Sequence, residues 1–464
     1  MLRITAAIAI ISFVLACKKS SSSPPGSNSH SDTTAVSIGF VINPLQEGRA
    51  IPADFTGLSF ETGSLPDTTF FNPSNATFIR LIRGLGQGVI RVGGNTSDKM
   101  FVTDGAIDRF FSFAGATGWK VMFGLNLGTG TPGAAALEAA YIYNHYSDRL
   151  LYFEIGNEPD LYGTNGLRPP GYSYTDFRKE FDIYYDSIKR LTPDAVFSGP
   201  TTATHTDTWL VPFARDEHSR IGLLTQHYYK MGPAGNPSVT IGRLLNGNTG
   251  INSQAATMAA AAGEEHLPFR ISECNSVYGG GENGISNTLA SALWTLDYMF
   301  NLAEEGAAGV NFHGGGTGPY TPIAFSQRQF TARPMYYGML FFHMASAGRL
   351  LKVTPEGGMP DMINITAHAA AQQDGSLLVT LINKDTVHSA VVTLAAGDHR
   401  WINAALLRLT GPSPSANTDI TLGGSSVQTD GTWTSLQQEN GTITAGNTCL
   451  VKVPAGSAAL VTLK

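Results

Sequence analysis

The sequence predicts a (β/α)8 barrel of the TIM type, followed by a C-terminal antiparallel β-sandwich. Between residues 55 and 313, eight short apolar runs alternate with helical stretches, and each interval has room for a strand, a helix and two loops. After about residue 350, strand-like runs follow one another between clusters of Gly, Asp, Asn and Pro, which is typical of a sandwich. The alternative, a doubly wound open sheet, usually has fewer strands, and the Gly-rich phosphate motif that often opens one is missing here.

The N-terminus predicts export. Residues 1–16 have a basic start and an apolar run, a signal-peptide pattern too short for a membrane span, which needs about 20 apolar residues. The ending Val-Leu-Ala-Cys17 resembles the lipobox of bacterial lipoproteins, which implies cleavage before Cys17 and acylation of its thiol. Ordinary cleavage nearby is the alternative. Residues 17–35 are rich in Ser and Pro and are expected to form a flexible tether. We therefore expect an exported bacterial lipoprotein, periplasmic or at the cell surface, that contacts the membrane only through its lipid.

Residues 51–348 are assigned to the barrel. The predicted strands are Phe55–Glu61, Gly88–Gly93, Lys120–Leu127, Leu150–Gly156, Ala195–Gly199, Leu223–Tyr229, Phe269–Glu273 and Gly309–His313. The predicted helices are Ala76–Leu85, Ile107–Ala116, Gly133–His145, Tyr174–Arg190, Asp207–Glu217, Gln254–Gly263, Asn287–Glu305 and Pro334–Ala347. The last of these begins with proline, which is favoured at the first helical position.

Residues 349–464 are assigned to the sandwich. Its predicted strands are Met362–Ala370, Ser376–Asn383, Ala390–Leu394, Trp401–Leu409, Cys449–Val453 and Ala458–Leu463. Residues 36–50 precede the barrel and begin with a strand-like run. We expect this segment to join the sandwich and bring the two ends of the chain together.

Composition excludes several functional classes. The 464 residues carry a net charge of −6, whereas nucleic-acid binders normally have a basic excess. The hydrophobic fraction of 42% and the charged fraction of 14% exclude disorder as the main state. Three cysteines, Cys17, Cys274 and Cys449, are too few for a zinc-type cluster, and the last two are expected to be buried thiols without a disulfide. The histidines show no ligand-spaced pairs. We expect no metal, no cofactor and no protein partner.

Two glutamates at strand ends predict the chemistry. Glu158 follows the fourth predicted strand within Asn157-Glu158-Pro159, and Glu273 ends the seventh. The carboxyl ends of barrel strands share one rim, where TIM-barrel active sites lie. A lone glutamate at a strand end is more often a salt-bridge or capping residue, but two converging carboxylates suit glycoside hydrolysis.

These motifs resemble the clan A retaining glycosidases, and more closely glycoside hydrolase family 79, the β-glucuronidase and heparanase-like group. The further matching segments are Gly57–Glu61, Ile90–Asn95, Phe153–Glu158, Gln226–Tyr229, Asp374–Lys384 and Val453–Val461. The resemblance implies that Glu158 is the acid/base, that Glu273 is the nucleophile and that Asn157 holds the sugar 2-hydroxyl. Strict strand alternation turns Asn157 away from the substrate, so this role requires a bulge or bend.

Residues next to the pair have predicted supporting roles. Arg91 is expected to keep Glu273 ionised, and an ion pair with Glu61 or Glu154 is the structural alternative. His227 is expected to support the pair and Tyr228 to contact the substrate. Strand alternation allows only one of these two side chains to face inward.

The substrate pocket is predicted from the rim loops. Glu61 and Asn95 end the first two strands and, by the resemblance, contact sugar hydroxyls, although Asn95 is equally compatible with a turn. Tyr278 and Tyr320 lie in Gly-rich loops whose backbone amides can approach a ligand closely. The resemblance to glucuronidases implies that these loops bind the uronate carboxylate. Ordinary loops with tyrosine packing anchors are the alternative.

We therefore predict a retaining, exo-acting β-glucuronidase that releases terminal β-linked glucuronic acid from glycans or glycoconjugates. Cleavage inside a polyanion favours a basic cleft, and the net charge of −6 without long basic runs argues against one. The alternatives are a retaining glycosidase for xylosides, arabinofuranosides or glucosides, and a non-catalytic carbohydrate-binding lipoprotein.

Overall fold

A computed structural model describes residues 35–397, 400–444 and 447–464. The predicted signal peptide, most of the predicted tether and the predicted lipidation site Cys17 lie outside these residues. Within the described part of the chain, no helix is long and apolar enough to cross a membrane.

Eight parallel strands close into a barrel, which confirms the predicted fold class. A first strand, β1 (Val36–Ala50), belongs to the second domain and precedes the barrel. The barrel strands pair in chain order, and the last pairs with the first. They are β2 (Thr56–Glu61), β3 (Val89–Gly93), β4 (Lys120–Leu125), β5 (Leu150–Ile155), β6 (Phe197–Thr202), β7 (Ile221–Met231), β8 (Phe269–Val277) and β9 (Gly309–Gly314).

Helices alternate with the barrel strands, and their apolar faces belong to one large hydrophobic core. Local signals mark their starts: the Thr131 hydroxyl accepts a hydrogen bond from the Ala134 amide, and Ser173 and Asp176 form a capping box. The helices are α1 (Ala76–Gly84), α2 (Asp104–Thr117), α3 (Pro132–Tyr146), α4 (Tyr162–Asn165), α5 (Tyr174–Leu191), α6 (Val211–Glu217), α7 (Ile241–Leu245), α8 (Thr249–Glu264), α9 (Leu289–Glu304) and α10 (Pro334–Ala345).

A two-stranded hairpin that was not predicted, β10 (Ile323–Ser326) and β11 (Gln329–Ala332), lies between the last barrel strand and α10. Each of its strands has only four residues, and the tight turn between them contains Gln327 and Arg328 with left-handed backbone angles of +50° and +62°. Such short runs carry little periodicity, which explains why the sequence did not indicate them.

The second domain is one 11-stranded sheet that curls around its own core. Besides β1 it contains β12 (Arg349–Pro355), β13 (Ile365–Ala371), β14 (Leu377–Asn383), β15 (Ala390–Ala395), β16 (Ala404–Thr410), β17 (Thr421–Leu422), β18 (Glu439–Asn440), β19 (Thr442–Ile443), β20 (Cys449–Val453) and β21 (Ser457–Leu463). Alternate residues such as Ile38, Phe40 and Ile42 face this core.

The sheet differs from the prediction in two respects. It is not purely antiparallel, and four of its strands, β12, β17, β18 and β19, were not predicted. Strand β1 pairs antiparallel with β12 but parallel with β15. No hairpin links β1 to either partner, so its direction is not restricted by a short turn. Cys274 and Cys449 are free and buried, as expected.

A buried cluster of charged side chains joins the sheet to the barrel. Asp297 on α9 binds Lys384 at 2.8 Å and the Nε2 atom of His368 at 3.3 Å. The Nδ1 atom of His368 lies 2.6 Å from Glu304. Burial alone would lower the pKa of His368, but Glu304 and Asp297 outweigh burial and raise it to about 9.

We expect His368 to make stability depend on pH above neutrality. Its pKa is higher in the folded chain than its ordinary value of about 6.5. The stability that charged His368 contributes to the folded chain is therefore complete below about pH 6.5 and is lost as the pH rises through about 9. His368→Gln should remove this contribution, on the order of 1–3 kcal/mol. The free energies of unfolding of the variant and of the wild type should therefore become equal as the pH rises. Urea unfolding across this range measures the difference, with the exposed His145→Gln as control. A difference that is constant with pH would contradict the prediction.

Candidate active site

The two predicted carboxylates meet at the carboxyl-terminal rim of the barrel. Glu273 lies in β8, and Glu158 follows the end of β5 by three residues. One carboxylate oxygen of each and a ring nitrogen of His227 all lie within 4.8 Å of one another. The side chain of Glu273 is only 8% exposed and that of Glu158 is 15% exposed, so Glu158 is the more open of the two.

A bend after β5 brings Asn157 to the inside of the barrel. Gly156 and Glu158 have left-handed backbone angles of +85° and +50°, so the strand alternation ends before Asn157. The Asn157 side-chain oxygen accepts a hydrogen bond from Arg91 at 2.9 Å. The bend that the predicted role of Asn157 requires is therefore present.

Arg91 is the central cation of the site. Its guanidinium is fully buried and donates to Glu273 at 2.6 Å and to Glu154 at 2.7 Å. Burial alone would lower the pKa of Arg91, but the two carboxylates raise it, so the cation is retained. Both sequence interpretations hold, because Arg91 forms an ion pair with Glu154 and also contacts Glu273. Glu61, the other candidate ion-pair partner of Arg91, instead accepts hydrogen bonds from the amides of Asn95 and Thr96.

Two consecutive glycines explain how the arginine fits. A Cβ atom on Gly93 would lie 2.6 Å from the guanidinium carbon of Arg91. A Cβ atom on Gly94, whose φ is +73°, would lie 2.5 Å from the carboxylate carbon of Glu61. Only glycine permits these close approaches. These two glycines, the last residue of β3 and the one after it, thus let both charged side chains pack against the backbone.

The surroundings of Glu273 favour its ionised form. Besides Arg91, the Tyr229 hydroxyl donates to Glu273 Oε1 at 2.9 Å, and His313 Nδ1 lies 3.4 Å from Oε2. Burial alone would raise the pKa of Glu273, but the electrostatic effects of His313, His227 and Arg91 and the hydrogen bond from Tyr229 lower it. An ionised, oriented carboxylate of this kind can act as a nucleophile.

Glu158 is bound differently from Glu273. His227 Nδ1 lies 2.9 Å from Glu158 Oε1, and the imidazole is completely buried. The backbone amide of Glu158 donates to the carbonyl oxygen of Thr201 at 2.9 Å. The carboxyl group is thus held by an imidazole at the more open side of the site, a position suited to proton transfer.

The chain resembles known glycoside hydrolases in sequence. Residues 362–460 match the family model of the glycosyl hydrolase family 79 C-terminal beta domain. A β-glucuronidase of Aspergillus niger is 24% identical in an alignment that covers 83% of this chain and 80% of that protein. A β-glucuronidase of Neurospora crassa is 27% identical in an alignment that covers 61% of this chain and 62% of that protein.

A solved structure shares the whole fold. The crystal structure of a 4-O-α-L-rhamnosyl-β-D-glucuronidase from Fusarium oxysporum, in complex with Rha-GlcA, superposes with a TM-score of 0.76 at 21% identity, covering 92% of this chain and all of that one. The chain is a family 79-like glycoside hydrolase. It is therefore a glycosidase, and the carboxylate pair lies at the rim where its fold class has its active sites.

The other predicted substrate contacts of this hydrolase lie around the mouth, that is, the opening of the barrel at its carboxyl-terminal rim. Glu61 accepts hydrogen bonds from the amides of Asn95 and Thr96, and Asn95 is exposed. The ring of Tyr320 lies 6.1 Å from that of His313. Tyr278 is 47% exposed, and its ring is 6.4 Å from that of Tyr229. The predicted substrate contacts of these side chains stay predictions.

One prediction for the hydrolase is wrong. Tyr228 faces the helices, where its ring stacks on Tyr298 of α9 at 5.6 Å, so it is not in the mouth. His227 takes the inward position, and the next inward residue is Tyr229, whose hydroxyl binds Glu273. Alternation from His227 would have identified Tyr229. His313, at the end of a predicted strand, was also missed.

The site could in principle hold a cation. Among the described residues, Glu158, His227 and Glu273 form one group of three potential ligands. However, Glu158 and His227 are already hydrogen bonded to each other, and Arg91 already neutralises Glu273. This charge arrangement opposes a second cation.

Proposed function

We propose that this glycosidase is a retaining, exo-acting β-glucuronidase. The observation that carries the retaining mechanism is the separation of Glu158 and Glu273, since one carboxylate oxygen of each lies within 4.8 Å of the other. Retaining enzymes hold their carboxyl groups about 5–5.5 Å apart, whereas inverting enzymes need about 6.5–9.5 Å to admit a water molecule.

The first step forms a covalent intermediate. The Glu273 carboxylate attacks the anomeric carbon, and the bond from that carbon to the leaving oxygen breaks. Glu158, protonated, donates its proton to that oxygen. Arg91 and Tyr229 hold the attacking carboxylate through hydrogen bonds of 2.6 Å and 2.9 Å.

The second step releases the sugar. Glu158, now ionised, takes a proton from a water molecule, and the water oxygen attacks the anomeric carbon. The ester bond to Glu273 breaks, so the product keeps the β configuration after two inversions. His227, which is 2.9 Å from Glu158, can stabilise the ionised form of this acid between the steps.

The uronic acid specificity is supported by the surroundings of the mouth and by the names of the two curated relatives. Burial alone would lower the pKa of His313, but Glu273 and Glu61 raise it, which favours the positively charged form of this imidazole beside the pair. The hydroxyls of Tyr278 and Tyr320 supply further donors for a sugar carboxylate. The net charge of −6 supports removal of a single terminal sugar rather than cleavage within a polyanion.

A panel of aryl β-glycosides tests the proposal. We expect kcat/KM for the glucuronide to exceed that for the xyloside, arabinofuranoside and glucoside by at least about 100-fold, because unpaired polar groups in the pocket penalise sugars without the carboxylate. Proton NMR of the first-formed sugar should show the β anomer. Preference for any other sugar would contradict the specificity, and first-formed α anomer would contradict the retaining course.

We also propose that the chain is an exported lipoprotein held to the membrane through Cys17. The support is the lipobox-like sequence before Cys17 and the Ser/Pro-rich segment after it. Mass spectrometry of the mature protein should identify an acylated N-terminal Cys17. A mature N-terminus elsewhere, or an unmodified thiol, would contradict the anchor.

A further inference from the structure

A buried carboxylate lies behind the Asn157-Glu158 segment. Asp98 follows β3 and is 1% exposed. Its Oδ2 atom accepts a hydrogen bond from the backbone amide of Asn157 at 3.1 Å, and its Oδ1 atom accepts one from the amide of Gly128 at 3.1 Å. One side chain therefore connects the loops after three neighbouring barrel strands, β3, β4 and β5.

The segment that Asp98 holds needs external support. Glu158 has a left-handed backbone angle of +50°, which is unfavourable for a residue with a side chain. Two successive amides of the segment are bound from outside it: Asn157 N–H by Asp98, and Glu158 N–H by the Thr201 carbonyl at 2.9 Å. These two contacts hold the backbone from which the Glu158 side chain extends.

Asp98 has no balancing cation among the described residues, so its burial is not explained by an ion pair. Burial raises the pKa of Asp98 to about 7, although the hydrogen bonds from the amides of Asn157 and Gly128 oppose this rise. The packing is also tight, because a Cβ atom on Gly128 would lie 2.6 Å from the Cβ atom of Asp98. Burying a carboxylate without a cation lowers the stability of the fold, so its presence here indicates a role at the neighbouring site.

We propose that Asp98 is a positioning residue for Glu158, acting through the backbone amide of Asn157 without touching the substrate. This inference rests on the proposed function of Glu158 as the acid/base. Loss of Asp98 should therefore slow the cleavage of substrates whose leaving oxygen must receive a proton. It should have little effect on the cleavage of substrates whose leaving group departs unprotonated.

Two aryl glucuronides with different leaving groups test the inference on the full chain. For Asp98→Asn, we expect kcat/KM for phenyl glucuronide to fall about 10- to 100-fold and that for dinitrophenyl glucuronide to fall less than about threefold. Glu138→Gln is the matched control. Glu138 is also a largely buried carboxylate that accepts a backbone amide, that of Val102 at 2.9 Å, and burial also raises its pKa to about 7. This control should leave the ratio of the two substrates unchanged.

A double variant separates positioning from a general effect on the fold. When Glu158→Ala is already present, adding Asp98→Asn should change kcat/KM for phenyl glucuronide by less than about threefold, because the group that Asp98 orients is gone. Equal losses on both substrates, or a full further loss in the double variant, would overturn the inference. If Asp98→Asn does not fold, Asp98→Glu, which displaces the carboxylate by one methylene, undergoes the same comparison.

The proposed function fails in a different way. Inactivity of the wild type on both glucuronides would contradict the glucuronidase and leave Asp98 open to the same test, made with phenyl and dinitrophenyl glycosides of the sugar that the wild type cleaves. Failure of the inference alone would show as an active wild type whose Asp98→Asn variant keeps the wild-type ratio between the two leaving groups.

Discussion

Glu273→Ala is expected to lower kcat by roughly 10^5-fold or more, because no other group can form the covalent intermediate. Glu273 is the carboxylate on which the site converges: Arg91 binds it at 2.6 Å and Tyr229 at 2.9 Å, and its pKa is lowered despite burial. Glucuronic acid should still bind, because the mouth residues remain. Turnover of an aryl glucuronide and product binding by calorimetry measure the two effects.

Glu265→Gln is the control for this loss. Glu265 is a partly exposed carboxylate that pairs with His218 at 3.3 Å on the outside of the barrel. The Glu265→Gln variant should keep wild-type turnover. Wild-type turnover in Glu273→Ala would contradict the assignment of the nucleophile. A wild type with no turnover that still binds a carbohydrate would favour the non-catalytic binding protein.

The barrel could be predicted because each strand–helix unit carries its own local signals. The apolar run of β8 was predicted to begin at Phe269, and Pro334 was predicted to begin the last helix, and both do so in the structure. The convergence of Glu158 and Glu273 followed from topology, since the carboxyl ends of parallel barrel strands share one rim.

Features set by distant contacts could not be predicted from local sequence. The inward position of Asn157 depends on the bend at Gly156, which is stabilised by Asp98 from another loop. Alternation allowed either His227 or Tyr228 to face inward, and the register with β8 decides between them, because His227 pairs with Glu273 and Tyr228 with Cys274. Strand β1 runs parallel to β15, a pairing that no adjacent turn encodes.

Glu158→Ala should separate the two steps of the reaction. We expect kcat/KM to fall about 10²- to 10⁴-fold for phenyl glucuronide, whose leaving oxygen needs a proton, and much less for dinitrophenyl glucuronide. With the activated substrate, the intermediate on Glu273 should accumulate, because no base remains to activate water. Burst kinetics and mass spectrometry of the trapped protein measure this accumulation.

Azide identifies which carboxylate has which role. In Glu158→Ala, azide needs no base, and its nitrogen attacks the anomeric carbon as the ester bond to Glu273 breaks. Turnover should rise and β-glucuronosyl azide should form.

In Glu273→Ala, azide can enter only from the side that the nucleophile occupied, so the activated substrate should give the α-azide. NMR distinguishes the two products. The reverse pairing of products and variants would exchange the roles of Glu158 and Glu273, and absence of any azide product in both would contradict the double-displacement mechanism.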